Sequence, residues 1–190
     1  MALLAGCGDP NAGALFADIQ YATRCDIVGG CSGRVDHDIC GFNNGDACEG
    51  VEGTAIISCS VTETESTRTI SFSARQGSGF NVSINRLTVP RTGGSATGGD
   101  CNVSVTEGAN TYAGPCGGST PSEAQPCQVT NVTFMDEMGN PEFEGNVFCQ
   151  NLANRATPSL KIEVTAIGAG PGPASSPARF RIANCDGLTL

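Results

Sequence analysis

Tryptophan is absent from this 190-residue chain, aromatic residues make up 5% of it, and lysine and histidine occur once each, as Lys161 and His37. Each scarcity removes a class of function. Gripping a phosphate backbone needs a basic surface; with 10 Lys+Arg against 19 Asp+Glu and a net charge of −9, nucleic acid is excluded as a partner, and the acidic balance suits a solvated surface. No stretch approaches the roughly 18 apolar residues of a membrane-spanning helix. Neither CxxC nor CxxxC occurs, which disfavours redox centres and zinc sites built on close thiolate pairs. No G-x-S-x-G or comparable nucleophile setting is present. The acidic residues Asp136, Glu137, Glu142 and Glu144 flank a turn in "MDEMGNPEFE", where carboxylates are usually just solvated, and glycosidase chemistry would want more rings than two tyrosines and no tryptophan. The chain is therefore not expected to be an enzyme.

What is present in excess is cysteine, eleven residues in scattered positions. That pattern reads as a disulfide framework in an oxidising compartment. With Cys7 set aside, Cys25, Cys31, Cys40, Cys48 and Cys59 precede the polar loop at 90–100, and Cys101, Cys116, Cys127, Cys149 and Cys185 follow it. Five on each side is odd, so complete pairing requires a bridge across that loop and hence one covalently tied domain. Local spacing favours Cys101 with Cys116 across a hairpin and Cys149 with Cys185 between C-terminal strands.

Period-two alternation marks the strands. In "RTISFSAR" Ile70, Phe72 and Ala74 face one way and Ser71, Ser73 and Arg75 the other. In "FNVSINRLTV" the phase changes at Asn85 and Arg86, the signature of a β-bulge. Further strands are expected at 54–61, 101–106, 127–136, 142–150, 159–167 and 178–185, separated by turns and by three Gly/Pro/Ser loops at 90–100, 114–126 and 168–178. Segment 11–23 is open between a short helix and a strand. The fold class that follows is all-β, a disulfide-rich antiparallel β-sandwich of about 8–10 strands, with a β-barrel as the alternative. Residues 1–16 are expected to form a signal remnant and tether, and 17–190 a single domain.

"LAGC" at 4–7 resembles the lipobox of bacterial lipoproteins. The resemblance implies diacylation of Cys7 and an outer-membrane or cell-surface location, with secretion as the alternative; it also accounts for the odd cysteine. Residues 34–50, "RVDHDICGFNNGDACEG", gather Asp36, Asp38, Asn44, Asp46 and Glu49, hard oxygen donors suited to calcium. The DxD start fits an EF-hand, but Ala47 stands where that loop needs its bidentate glutamate; "NNGDACEG" is more similar to the end of a thrombospondin type 3 calcium repeat. His37, between Asp36 and Asp38, reads as an exposed loop histidine. Three N-x-S/T sequons, at Asn81, Asn102 and Asn131, lie within expected strands and read as chance. No cofactor beyond possible calcium is implied. The function expected is that of an exported, lipid-anchored, non-catalytic binding or assembly module for protein, envelope polymer or its own copies. Rivals are a calcium-dependent adhesion module, a self-assembling surface or filament subunit, and, last, a secreted hydrolase.

Overall fold

The structure, a computed structural model, describes residues 13–25, 33–43, 45, 47–77, 79–97, 100–137, 139–169 and 176–190. Cys7, Cys31, Asn44 and Asp46 lie outside the described residues. Eleven strands follow in chain order: β1 Phe16–Cys25, β2 Arg34–Phe42, β3 Ala55–Glu63, β4 Thr67–Gln76, β5 Phe80–Pro90, β6 Asn102–Glu107, β7 Asn110–Gly117, β8 Cys127–Glu137, β9 Asn140–Ala153, β10 Lys161–Thr165 and β11 Ala178–Ala183. The chain is all-β, as its alternation predicts.

All strands belong to one hydrogen-bonded sheet that folds into two layers. The first layer runs β2, β1, then β11 and β10, then β9 and β8; the second runs β7, β6, β5, β4, β3. The join is a two-residue parallel ladder, Cys116 with Cys127 and Gly117 with Gln128, which makes an otherwise antiparallel sheet mixed. β10 and β11 lie end to end between the same neighbours. Phe16–Gln20 of β1 pair with β11 and Ala22–Cys25 with β10, while β9 pairs with β11 through Val147 and with β10 from Cys149. Between them the chain leaves and re-enters the sheet, its exit closed by a hydrogen bond from Ala166 N to Ser176 O at 2.8 Å.

Inward-facing apolar residues of both layers form one core. Phe72 of β4 meets Phe180 of β11 and Phe143 of β9 at centroid separations of 5.3 and 6.1 Å. The expected bulge is present: Asn85 and Arg86 together oppose Ser71, Arg86 takes φ 55°, and its N–H donates to Ser71 Oγ at 3.0 Å. The layers do not close into a barrel. Where β2 and β3 approach, the link is a side chain, Asn43 Oδ1 accepting from Ile57 N at 3.3 Å.

The free edge of β3 is covered further along by the C-terminal tail, whose Asp186 carbonyl accepts from Val61 N at 2.7 Å; covering an edge removes a template for unwanted strand pairing. Arg68, buried beneath the tail, fastens it. Its guanidinium pairs with Glu63 at 3.0 Å, donates to the carbonyls of Arg91 and Thr189, and lies 4.2 Å over the Phe134 ring of the first layer.

Four bridges join Cys40 to Cys48, Cys59 to Cys185, Cys101 to Cys116 and Cys127 to Cys149, and Cys25 is also disulfide-bonded. Cys101–Cys116 is the hairpin pair the spacing favours. The pairing of Cys149 with Cys185 is not formed: Cys149 stands directly opposite Cys127 on β8, whereas Cys185 lies past the end of β11, against β3. Cys59–Cys185 is the bridge that crosses the 90–100 loop. Residues 13–16, assigned to the tether, are part of the folded body: Gly13 N donates to Asn140, the Ala14 carbonyl accepts from Asn184, and Leu15 O accepts from Asn43 N.

Candidate binding face

Residues 34–42, expected to curl as a calcium loop, are the extended strand β2. Alternation turns Asp36 and Asp38 outward. Asp36 is held by Arg34 at 2.7 Å, while Asp38 has its carboxyl pushed above the usual range by burial and by the charge of Asp18 on β1. Glu49 is exposed beyond Cys48. Among the described residues no three His, Cys, Asp or Glu side chains converge as a metal site.

The same alternation turns His37 inward, so it is not the exposed loop residue expected; it is buried at 6% exposure. Its ring stacks on Tyr21 and tilts against Phe80 of the second layer, both at 4.7 Å. Nε2 lies 2.7 Å from Glu107 Oε1 at the end of β6, and Thr23 Oγ1 donates to the same oxygen. Burial would raise the Glu107 carboxyl, but the hydrogen bonds from His37 and Thr23 and the charge of His37 outweigh it and hold the group below the usual glutamate range. An ionised carboxylate only accepts, so the proton between the two sits on Nε2. The Tyr21 hydroxyl is buried without a partner, and burial, with Glu107 nearby, pushes its ionisation far up. The arrangement is a polar rivet between layers. Sequence reasoning missed it because Glu107 is 70 residues from His37.

Described parts of the three Gly/Pro-rich loops, 94–96, Gly118 and Pro177, lie against β8. Residues 94–96 pair along its free edge, with Gly94 and Val132 exchanging hydrogen bonds of 2.7 and 2.8 Å. The loop after Gly117 turns back over β9 and forms a depression of about 390 Å³ with Gln150, Asn151 and Lys161. A smaller one of about 190 Å³ adjoins it, sharing Pro121 and Gln150 and reaching Pro177. The loop expected at 114–126 is thus shorter: Gly114 to Gly117 complete β7.

The outer faces of the two layers differ sharply in chemistry. That of the first layer carries cross-strand ion pairs, Arg181 with Glu142 at 2.7 Å and with Glu137, and Arg179 with Glu144. On that of the second, none of the outward strand positions of β3–β7 is Asp or Glu. Ser and Thr dominate instead, and the strand pairing aligns them. Ser58, Ser73, Ser83, Ser104 and Ala113 stand side by side across five strands. Next to this row runs a taller one, Ile56, Arg75, Asn81, Thr106 and Thr111, paired in the same way. Farther along, Thr62, Thr69 and Thr88 align across β3, β4 and β5. Neighbouring hydroxyls bond one another at 3.1 Å for Ser58–Ser73, 3.1 Å for Thr69–Thr88 and 3.2 Å for Thr106–Thr111.

On β5 and β6 the short side chains lie between longer ones, Asn81 and Thr106 on one side and Asn85 and Asn102 on the other, which makes a trough; on β3 and β4 its far side is again serine, Ser60 and Ser71. Ser83 and Ser104 on its floor are each only 9% exposed although they point away from the core, and the Ser104 hydroxyl has no hydrogen-bond partner among the described residues. A depression of about 460 Å³ lies beside it over the taller row, bordered by Ile56, Arg75, Asn81 and Thr106, by Gly79, Phe80 and Gly108 at the hairpin ends, and by Ser73 from the serine row. The signal was present in the sequence as serines and threonines at every second position of successive strands; the register that lines them up was not. Comparison with protein-family models, with curated proteins and with solved structures finds no match to this chain.

Proposed function

We propose that the protein is an exported, non-catalytic binding module of a cell envelope, held there by a lipid on Cys7, and that its contact surface is the outer face of the second layer. One observation carries the reading: in a chain with 19 acidic residues, the outward strand positions of five adjacent strands hold none of them. A face that only met water would tolerate carboxylates as the opposite face does; a face that is desolvated by a partner would not. The disulfides support an oxidising location, and the sole histidine is committed to a buried contact between layers.

The test is co-sedimentation with envelope material from the native host. Wild-type protein is expected to sediment with it, and Ser73→Glu or Asn81→Glu to weaken this about tenfold, the effect of an unpaired carboxylate at a desolvated contact. Glu144→Gln on the opposite face is expected to change nothing. Binding that ignores the first two substitutions and fails with the third would move the contact surface to the first layer. Intact mass spectrometry of protein from that host tests the anchor separately, an unmodified Cys7 removing it.

A further inference from the structure

We infer that the serine trough binds a neutral polysaccharide chain laid across the strands and read through its hydroxyl groups. The inference rests on the preceding assignment of this face as the contact surface and names its partner. The floor supplies hydroxyls and the walls supply the primary amides of Asn81, Asn85 and Asn102. Both groups donate and accept, which is what a partner made of hydroxyls requires. Ser83 and Ser104, each 9% exposed, carry hydroxyls of this kind on the floor.

Charge argues against a polyanion or polycation. No outward strand position holds a carboxylate, and the outward Arg86 is neutralised by Asp100 of the neighbouring loop at 2.7 Å, so that Arg75 is left as a single charge, too few to grip a polyanion. Composition argues against a protein partner or a second copy, because serine is depleted from protein interfaces and their anchors are Trp, Tyr and Arg. Both tyrosines are buried here, at 0% and 2% exposure, and the serine floor has no ring on which a sugar could stack. Recognition therefore falls on many weak hydrogen bonds repeated at the strand spacing. Five strands at about 4.8 Å give a row roughly 19 Å long, so affinity is expected to rise with polymer length rather than reside in one sugar.

Affinity electrophoresis tests this in gels containing dextran, a soluble β-1,3-glucan or a galactomannan, with alginate as the charged control. The expected result is retardation by at least one neutral polymer, reduced about tenfold by Ser73→Glu and Asn81→Glu, with melting temperatures recorded to show that both variants fold. Disaccharides and trisaccharides of the active polymer should not compete where long chains do. Ser58→Gly, which keeps the trough open and removes one hydroxyl, serves as a second variant and should weaken retardation without introducing charge. Retardation by alginate alone, by none of the neutral polymers, or with equal competition from disaccharides would overturn the inference. So would concentration-dependent self-association in sedimentation velocity that the glutamate variants abolish. Envelope binding that survives enzymatic removal of neutral polysaccharide, yet still responds to Ser73→Glu, would discard the polysaccharide and leave the binding face in place.

Discussion

The two outer faces of this molecule are built on the same backbone plan and filled by opposite rules. On the first layer Arg179 and Arg181 are interleaved with Glu137, Glu142 and Glu144, so that each charge has a counter-charge within reach. The more exposed pairs, Arg179 with Glu144 and Arg181 with Glu137, contribute little, typically about 0–1 kcal/mol each; their main effect is a well-solvated surface. On the second layer hydroxyls bond to hydroxyls across strands, which stabilises pairing by about 0.2–1 kcal/mol per pair with no carboxylate at an outward strand position. The difference teaches that folding stability does not explain the second face. Threonine, valine or charged pairs would hold those strands equally well, and only the serine row leaves a trough.

The comparison presupposes that the layers stay fixed to each other, and the largest effect should come from releasing them. The ladder of β7 and β8 joins them on one side; Cys59–Cys185 fastens the far edge of the second layer to the segment following β11. The bridge encloses a sequence separation of 126 residues, and a loop of that length gives a stabilisation of about 5 kcal/mol in the chain-entropy account. The double variant Cys59→Ala/Cys185→Ala is expected to lose about that much in a denaturant titration, with the tail at 184–190 gaining fast hydrogen exchange. Loss of under about 1 kcal/mol would show that the β7–β8 join and the Arg68 cluster suffice.

Next in size is the rivet between the layers. Glu107→Gln weakens both the contact to His37 and that to Thr23 and is expected to cost about 2 kcal/mol at neutral pH. The pH dependence follows from the sign of the shift. Glu107 is held below its ordinary value in the folded state, so its contribution is complete above the unfolded glutamate value of about 4.3 and disappears as pH falls through the lower, folded one. Wild-type stability should therefore decline more steeply than that of Glu107→Gln below about pH 4.3, measured by urea unfolding at each pH. Parallel curves would remove the carboxylate from the account.

How much of this was legible in the sequence depends on what an outward or inward position happened to hold. β4, β5 and β10 announce themselves because branched or aromatic residues alternate with polar ones, and the bulge at Asn85 and Arg86 shows as a phase slip. β1 was ambiguous because its outward positions include Phe16 and Ala22, which blur the alternation. β2 reads as a calcium loop because one inward position is His37 and the outward ones include Asp36 and Asp38. The last four residues of β7, Gly114–Gly117, read as loop because an inward glycine and a neighbouring proline look like turn residues. Gly114 is there for close packing: a Cβ at that position would lie 2.5 Å from Pro126 Cγ and 3.1 Å from Leu152. The serine trough and the His37–Glu107 contact were illegible for one shared reason. Each depends on register between segments distant in the chain, which local pattern does not specify.

On the first face a smaller effect is expected. Glu142 is buried at 3% exposure and takes two hydrogen bonds from Arg181, but Arg181 also reaches Glu137. Glu142→Gln should cost about 1 kcal/mol in the same unfolding assay, because the guanidinium keeps a second carboxylate. A loss several times larger would mean that this face is a cooperative network rather than a set of replaceable pairs.

The smallest expected change in stability is the most discriminating. Ser58 and Ser73 occupy outward positions on adjacent strands, with their hydroxyls 3.1 Å apart. Threonine keeps the hydroxyl and adds a β-branch, which strands favour. If the serine row existed only to pair strands, Ser58→Thr/Ser73→Thr would raise stability by a few tenths of a kcal/mol and leave binding to envelope or polymer untouched. The trough predicts a split outcome: the same gain in stability, with binding weakened because two methyl groups narrow the floor where a chain must lie. Unfolding midpoints and polymer retardation measured on one preparation separate the two. A variant that becomes more stable while it binds less would show that serine is retained in this row against the preference of the strands themselves.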